Sequence, residues 1–172
     1  MIMRMTGIAM IVFSCAGLGV IKSAQLQKRY RLLKEWERLI VLLEQEISYN
    51  AALPEACRRV GRKARPPFNS FLDSLSGRLE DCGGTPFPRI LEEESSRYLK
   101  DGYLTKEDLQ SISMLGEMMG FGDRQTQKEM LKRYGKELEI RLSDLKEQLP
   151  GKQKLYRSLG FLGGAFLGIL LL

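Results

Sequence analysis

A chain of 172 residues with 44% apolar and 28% charged side chains and a formal net charge of +6 can build one core of ordinary size, not two. It contains no histidine, which excludes Ser/His and Cys/His dyads, imidazole metal ligands and a histidine general base. Cys15, Cys57 and Cys82 are its three cysteines, and they show neither a paired framework nor zinc spacing.

The charge is unevenly placed, since residues 5–21 and 158–172 carry none. The first run, MTGIAMIVFSCAGLGVI, extends about 26 Å as a helix, short of the roughly 30 Å hydrocarbon core of a membrane. Lys22 and Lys28 can snorkel and lengthen it. A transmembrane helix is the expected reading. The alternatives are a cleaved signal, for which no small-residue site follows the run, a lipid on Cys15, which bulky Phe13 disfavours, and a buried core helix.

From 24 to 49 the period is helical. Leu26, Leu33, Ile40 and Ile47 fall at one heptad position, and Trp36, Leu43 and Asn50 at a second. Pro54 restarts a short helix with Leu53, Ala56, Cys57 and Val60 on one side. Arg58, Arg59, Arg62, Lys63 and Arg65 follow. They are either the solvated face and C-terminal turn of that helix, where cations suit the dipole, or a contact for phosphate or anionic lipid. They lack the interleaved aromatics of a nucleic-acid surface, and no nucleic-acid partner is expected.

Pro66-Pro67 opens a third helix carrying Phe68, Phe71, Leu72, Leu75 and Leu79, with Gly83-Gly84 as its stop. Thr85-Pro86 opens a fourth, 90–99, whose Glu92-Glu93-Glu94 run reads as a solvated face. Thr105 with Asp108 caps a fifth, placing Leu109, Ile112, Leu115 and Met119 inward. Asp123 caps the last long helix, 124–149, where Gln127, Leu131, Tyr134, Leu138, Leu142, Leu145 and Leu149 form one stripe. Pro150-Gly151 is expected to break it. The final run, SLGFLGGAFLGILLL, extends about 22 Å as a helix, and Gly160, Gly164 and Gly168 form a small-xxx-small stripe suited to close helix packing.

Basic residues beside both runs, Lys22, Lys28, Arg29, Arg31 and Lys34 on one side and Lys152, Lys154 and Arg157 on the other, place the middle of the chain in the cytosol by the positive-inside rule. The expected architecture is all-α: an N-terminal transmembrane helix (1–21), a cytosolic helical bundle (22–151) and a C-terminal transmembrane helix (152–172).

Three segments, LLEQEISYNAALPEA (42–56), LGEMMGFGDRQTQKEML (115–131) and SLGFLGGAFLGILLL (158–172), resemble in the same order the stage III sporulation protein AB family of endospore-forming bacteria. The loop at Gly122 and the break at Pro150-Gly151 depart from its pattern. The resemblance implies a membrane component of the channel complex joining mother cell and forespore. That complex is related to specialised secretion systems, and the family's soluble domain is similar to the cytosolic helical domain of the type II secretion platform protein. It implies as partners a secretion-type ATPase of the same operon, other membrane subunits of the channel and the lipid bilayer. The expected location is the mother-cell membrane around the forespore.

No catalytic residue and no cofactor carries over. Gly116, Glu117, Gly120, Asp123, Arg124 and Gln127 match the family's motif and read as a helix end and cap, or as a docking edge. The expected function is a non-enzymatic platform or adaptor subunit. The alternative is a membrane-anchored anion- or lipid-binding module using Arg58, Arg59, Arg62, Lys63 and Arg65.

Overall fold

The structure is a computed structural model. It describes the backbone of residues 2–81, 84–100, 102–119 and 123–170, and their side chains except 2–13, 15, 16, 18, 124, 157, 160, 161, 164, 165 and 167–170. The described residues form six helices and no strand: α1 Ile2–Ser48, α2 Leu53–Gly61, α3 Phe68–Glu80, α4 Phe87–Tyr98, α5 Lys106–Met119 and α6 Arg124–Leu170. The chain divides into two compact units, Arg31–Leu142 and the pair Met1–Tyr30 with Ser143–Leu172.

In the first unit α2 packs on α3, α3 on α4 and α4 on α5. The apolar seam of α1 is buried through Leu33, Trp36, Ile40, Leu43 and Ile47, and Leu39, which lies off both expected heptad positions, is buried with them. Trp36 is 2% exposed. Its ring stacks on Phe68 at 5.4 Å and meets Phe71 edge-on at 6.1 Å. Its Nε1–H donates to the Tyr134 hydroxyl at 3.0 Å, and Ser111 Oγ lies 3.3 Å from the same oxygen. One indole thereby fastens α1 to α3 and α6, with the phenol carrying the link to α5. Burial raises the Tyr134 phenol above its ordinary value, so it stays a neutral hydroxyl.

The seam does not reach Asn50, because Asn50 adopts a left-handed conformation (φ 66°) and ends α1. The Ala51 N–H donates to the Glu46 carbonyl and the Asn50 N–H to that of Ile47, both at 3.1 Å, the paired bonds of a Schellman stop. Pro54 stands in the first turn of α2, where its missing N–H is not needed. At Gly61 a Cβ would stand 3.2 Å from Leu72 Cβ, so glycine lets α2 lie close on α3. Thr105 and Asp108 cap α5 reciprocally: the Thr105 N–H reaches the Asp108 carboxylate at 2.8 Å, and the Asp108 N–H reaches Thr105 Oγ1 at 3.3 Å.

Glu94 and the Pro150-Gly151 pair both depart from the sequence expectation. Glu94 does not belong to a solvated face. It is 1% exposed, accepts the Ser74 hydroxyl at 2.6 Å and an Arg78 N–H at 3.0 Å, and has Arg97 at 3.8 Å. A buried carboxylate is tolerated when paired and hydrogen-bonded in this way, and this one joins α3 to α4. Pro150-Gly151 does not end the last helix, since α6 runs through both to Leu170. The ring removes the bond that the Lys146 carbonyl would receive, at a cost of about 3 kcal/mol in a helix interior. Lys146, Pro150 and Gly151 are all exposed, so water can take that carbonyl.

The second unit contains the outer parts of α1 and α6. Gly19, Ser23 and Leu149 are buried there. Val20, Ile21, Leu155, Leu159, Leu162 and Phe166 are instead 53–67% exposed. The expected transmembrane helices at 1–21 and 152–172 are not found: among the described residues no helix is long and apolar enough to cross a membrane. The described part of each apolar run is short and adjoins charge, Lys22 on α1 and Lys152 and Lys154 on α6, while most of residues 5–18 and 167–172 lies outside the described side chains.

Candidate functional site

Among the described residues of the motif shared by α5 and α6, Gly116 and Asp123 hold the fold and the Glu117 side chain is exposed without a structural role of that kind. At Gly116 a Cβ would stand 2.9 Å from Leu91 Cδ2 and 3.1 Å from Pro88 Cα, so α5 approaches the backbone of α4 there. Leu115 and Met119 on either side are buried. Asp123 caps α6: its carboxylate accepts the Thr126 N–H at 2.9 Å, and its carbonyl accepts the Gln127 N–H at 2.9 Å. Hydrogen bonding to Thr126 holds the Asp123 carboxyl below its ordinary value. Gln127 is half-buried on the next turn; Gly120 and the side chain of Arg124 lie outside the described residues.

Glu117 differs from its neighbours. It is exposed and stands on an open groove between α4 and α5 whose lining includes Pro88, Arg89, Glu92, Leu109 and Met114. Met114 is 52% exposed although its residue type favours burial. Helix periodicity marks the inward face of α5 alone, so Met114 on its outer side carries no sequence signal. The close approach at Gly116 thus fixes the relation of α4 to α5 and sets the groove beside Glu117.

The basic cluster at 58–65 is largely matched by carboxylates brought from elsewhere in the chain. Arg58 pairs with Glu80, Arg59 with Glu55 at 2.8 Å and Glu46 at 3.3 Å, and Lys63 with Glu46 at 3.5 Å. The Glu55 and Glu46 carboxylates raise the Arg59 guanidinium above its ordinary value. The Arg65 N–H donates to Glu35 at 3.1 Å, and Arg38 binds the same carboxylate at 2.6 Å. Arg62 and Arg65 keep exposed side chains. The Arg58 pair joins α2 to α3 and the Arg59–Glu46 pair joins α2 to α1, each screened by solvent and individually weak. An incoming anion would have to displace carboxylates already in place.

Cys57 is fully buried, and burial pushes its thiol up to about 12. It behaves as a small apolar group and not as a nucleophile. Gly160, Gly164 and Gly168, expected to pack membrane helices, lie outside the described side chains. At their neighbour Gly163 a Cβ would meet nothing within 4 Å.

Comparison with known proteins points in one direction. Residues 4–172 match the family model described as stage III sporulation protein AB. A curated relative, stage III sporulation protein AB of Bacillus subtilis (strain 168), is 24% identical over 172 residues, covering 99% of each chain. A solved structure of stage III sporulation protein AB covers 71% of this chain and 96% of its own, with a TM-score of 0.63 at 21% identity. That likeness shows a shared helical fold.

Proposed function

The chain belongs to the stage III sporulation protein AB family, and from that premise we propose that it is a non-enzymatic platform subunit of a sporulation channel complex. In this reading the outer parts of α1 and α6 anchor it in the mother-cell membrane around the forespore, and residues 31–142 stand in the cytosol. The observation that carries the anchoring is the exposure of Val20, Ile21, Leu155, Leu159, Leu162 and Phe166 on just two helices. Fully burying a side chain of this size is worth about 1.5–3 kcal/mol relative to water. Six of them left in water make an aggregation surface, whereas in lipid their exposure carries no such cost.

The helical unit offers a docking surface for a secretion-type ATPase at the groove between α4 and α5. Support for this face is geometric. Glu117 is exposed, while Gly116 and Asp123 of the same motif serve packing and capping, and it shares the groove with exposed Met114. The basic cluster supports the alternative anion-binding function poorly, because Arg58, Arg59 and Lys63 already have carboxylate partners.

The test is capture of the ATPase by the full chain in membranes, comparing the natural sequence with Met114→Asp/Glu117→Arg. Loss of a docking centre should weaken capture by about tenfold or more. Unchanged capture removes the groove as the docking face. Failure of the natural chain to capture the ATPase at all removes the adaptor function.

A further inference from the structure

Beside each apolar helix end stand lysines that make no ion pair among the described residues. On α1, exposed Lys22 directly follows exposed Val20 and Ile21. On α6, exposed Lys152 and Lys154 directly precede exposed Leu155 and Tyr156, with Leu159, Leu162 and Phe166 beyond. Among the described residues none of these three lysines makes an ion pair. The acids of α6 in the same unit, Asp144 and Glu147, lie farther along the helix from the apolar end, and α1 has no acid before Glu35. Both segments therefore show the same order: apolar, then cationic, then acidic.

Arg58, Arg59 and Lys63 supply the contrast, for there the fold delivers a carboxylate to each cation. To Lys22, Lys152 and Lys154 it delivers none among the described residues. The adjoining surface is hydrocarbon, so the anion that fits is one covalently tied to hydrocarbon. We infer that Lys22, Lys152 and Lys154, with Tyr156 at the same level, form a collar that binds anionic phospholipid headgroups. The anion-binding function shifts from the 58–65 cluster to the lysines at the helix ends. This inference rests on the membrane reading above.

A cation beside an anionic leaflet contributes about fivefold in partition, and the effect is screened by salt because the groups are exposed. The experiment reconstitutes the full chain in phosphatidylcholine bilayers and follows spin-labelled phosphatidylglycerol and spin-labelled phosphatidylcholine by electron paramagnetic resonance. The motionally restricted shell should favour phosphatidylglycerol severalfold at low salt and less at high salt. Lys22→Gln/Lys152→Gln/Lys154→Gln should retain the shell and lose the preference, and Arg58→Gln/Arg59→Gln/Lys63→Gln should leave the preference intact.

Equal restriction of the two lipids by the natural chain overturns the collar and leaves the membrane reading standing. Absence of any restricted lipid overturns both. Preference that survives the three lysine substitutions, or that the 58–65 substitutions abolish, overturns the assignment to these lysines. Competition by millimolar inorganic phosphate assigns the site to a free anion and overturns the lipid assignment; no competition supports it.

Discussion

Replacing Gly116 by alanine should destabilise the chain, although alanine is the better helix former. In an open helical position the exchange gains about 1 kcal/mol. At Gly116 the new Cβ would stand 2.9 Å from Leu91 Cδ2 and 3.1 Å from Pro88 Cα. A leucine methyl can rotate away, but Pro88 Cα is backbone, so α4 must shift as a body. Overpacking of this kind costs about 1–3 kcal/mol, which leaves a net loss of up to about 2 kcal/mol. Gly77 in α3 provides the internal control, because a Cβ there meets nothing within 4 Å; Gly77→Ala should gain about 1 kcal/mol. The two variants should differ by about 1–3 kcal/mol, or about 3–9 °C in Tm for a chain of this size. Thermal unfolding of the full chain in detergent, followed by helical circular dichroism, reads this directly. If Gly116→Ala stabilises as much as Gly77→Ala, the close approach of α4 and α5 is refuted, and with it the structural reason for glycine in the motif.

Arg78→Ala removes the closest cation from buried Glu94 and should lower the urea midpoint clearly, because a buried carboxylate loses its partner, whereas Arg141→Ala, which breaks an exposed pair with Glu137, should leave the midpoint nearly unchanged; equal effects would mean that Glu94 is solvated. Tyr134→Phe strips the acceptor from the Trp36 Nε1–H and should cost about 1–3 kcal/mol. Because Trp36 is the single tryptophan, a shifted native emission should accompany the loss, and an unaltered spectrum with full stability would contradict the bond. The Asp123 carboxyl is held below its ordinary 3.8 in the folded chain. Its contribution is therefore present above pH 3.8 and is lost as pH falls through the folded value. Asp123→Ser keeps a capping oxygen that does not titrate, so the acid limb of a pH-stability curve should flatten; superimposable curves would sink the cap.

The helix starts were legible because they rest on local chemistry. Pro54, the pair Thr105 and Asp108, and Asp123 each act within a turn of themselves, and α2, α5 and α6 begin beside them, while α4 begins at Phe87, directly after Pro86 and before the expected Ile90. The seam of α1 was legible from its period over Leu33 to Ile47, apart from Leu39, which is buried because the surrounding helices cover a wider face than a two-position heptad marks, and the period overran at Asn50, whose left-handed backbone ends the helix. Glu94 was not legible. It shares its acidic run with exposed Glu92 and Glu93, and only the placement of Ser74 and Arg78 on α3 makes an inward carboxylate tolerable. The carboxylates facing the 58–65 cluster were hidden for the same reason, since Glu80 and Glu46 reach it through folding and not through spacing. Pro150 misled because a proline's effect on a helix depends on whether water can reach the carbonyl it frees. Gly116 was visible as a motif residue, but its cause, the Pro88 backbone, is a tertiary fact.

Seating of the outer parts of α1 and α6 in lipid underlies both the platform role and the lysine collar. Alkaline carbonate extraction of membranes from cells making the full chain tests it without a partner or a ligand. The chain should remain in the membrane pellet with integral proteins. Its release into the soluble fraction, with the helical content unchanged, would contradict the anchoring and require another cover for Val20, Ile21, Leu155, Leu159, Leu162 and Phe166.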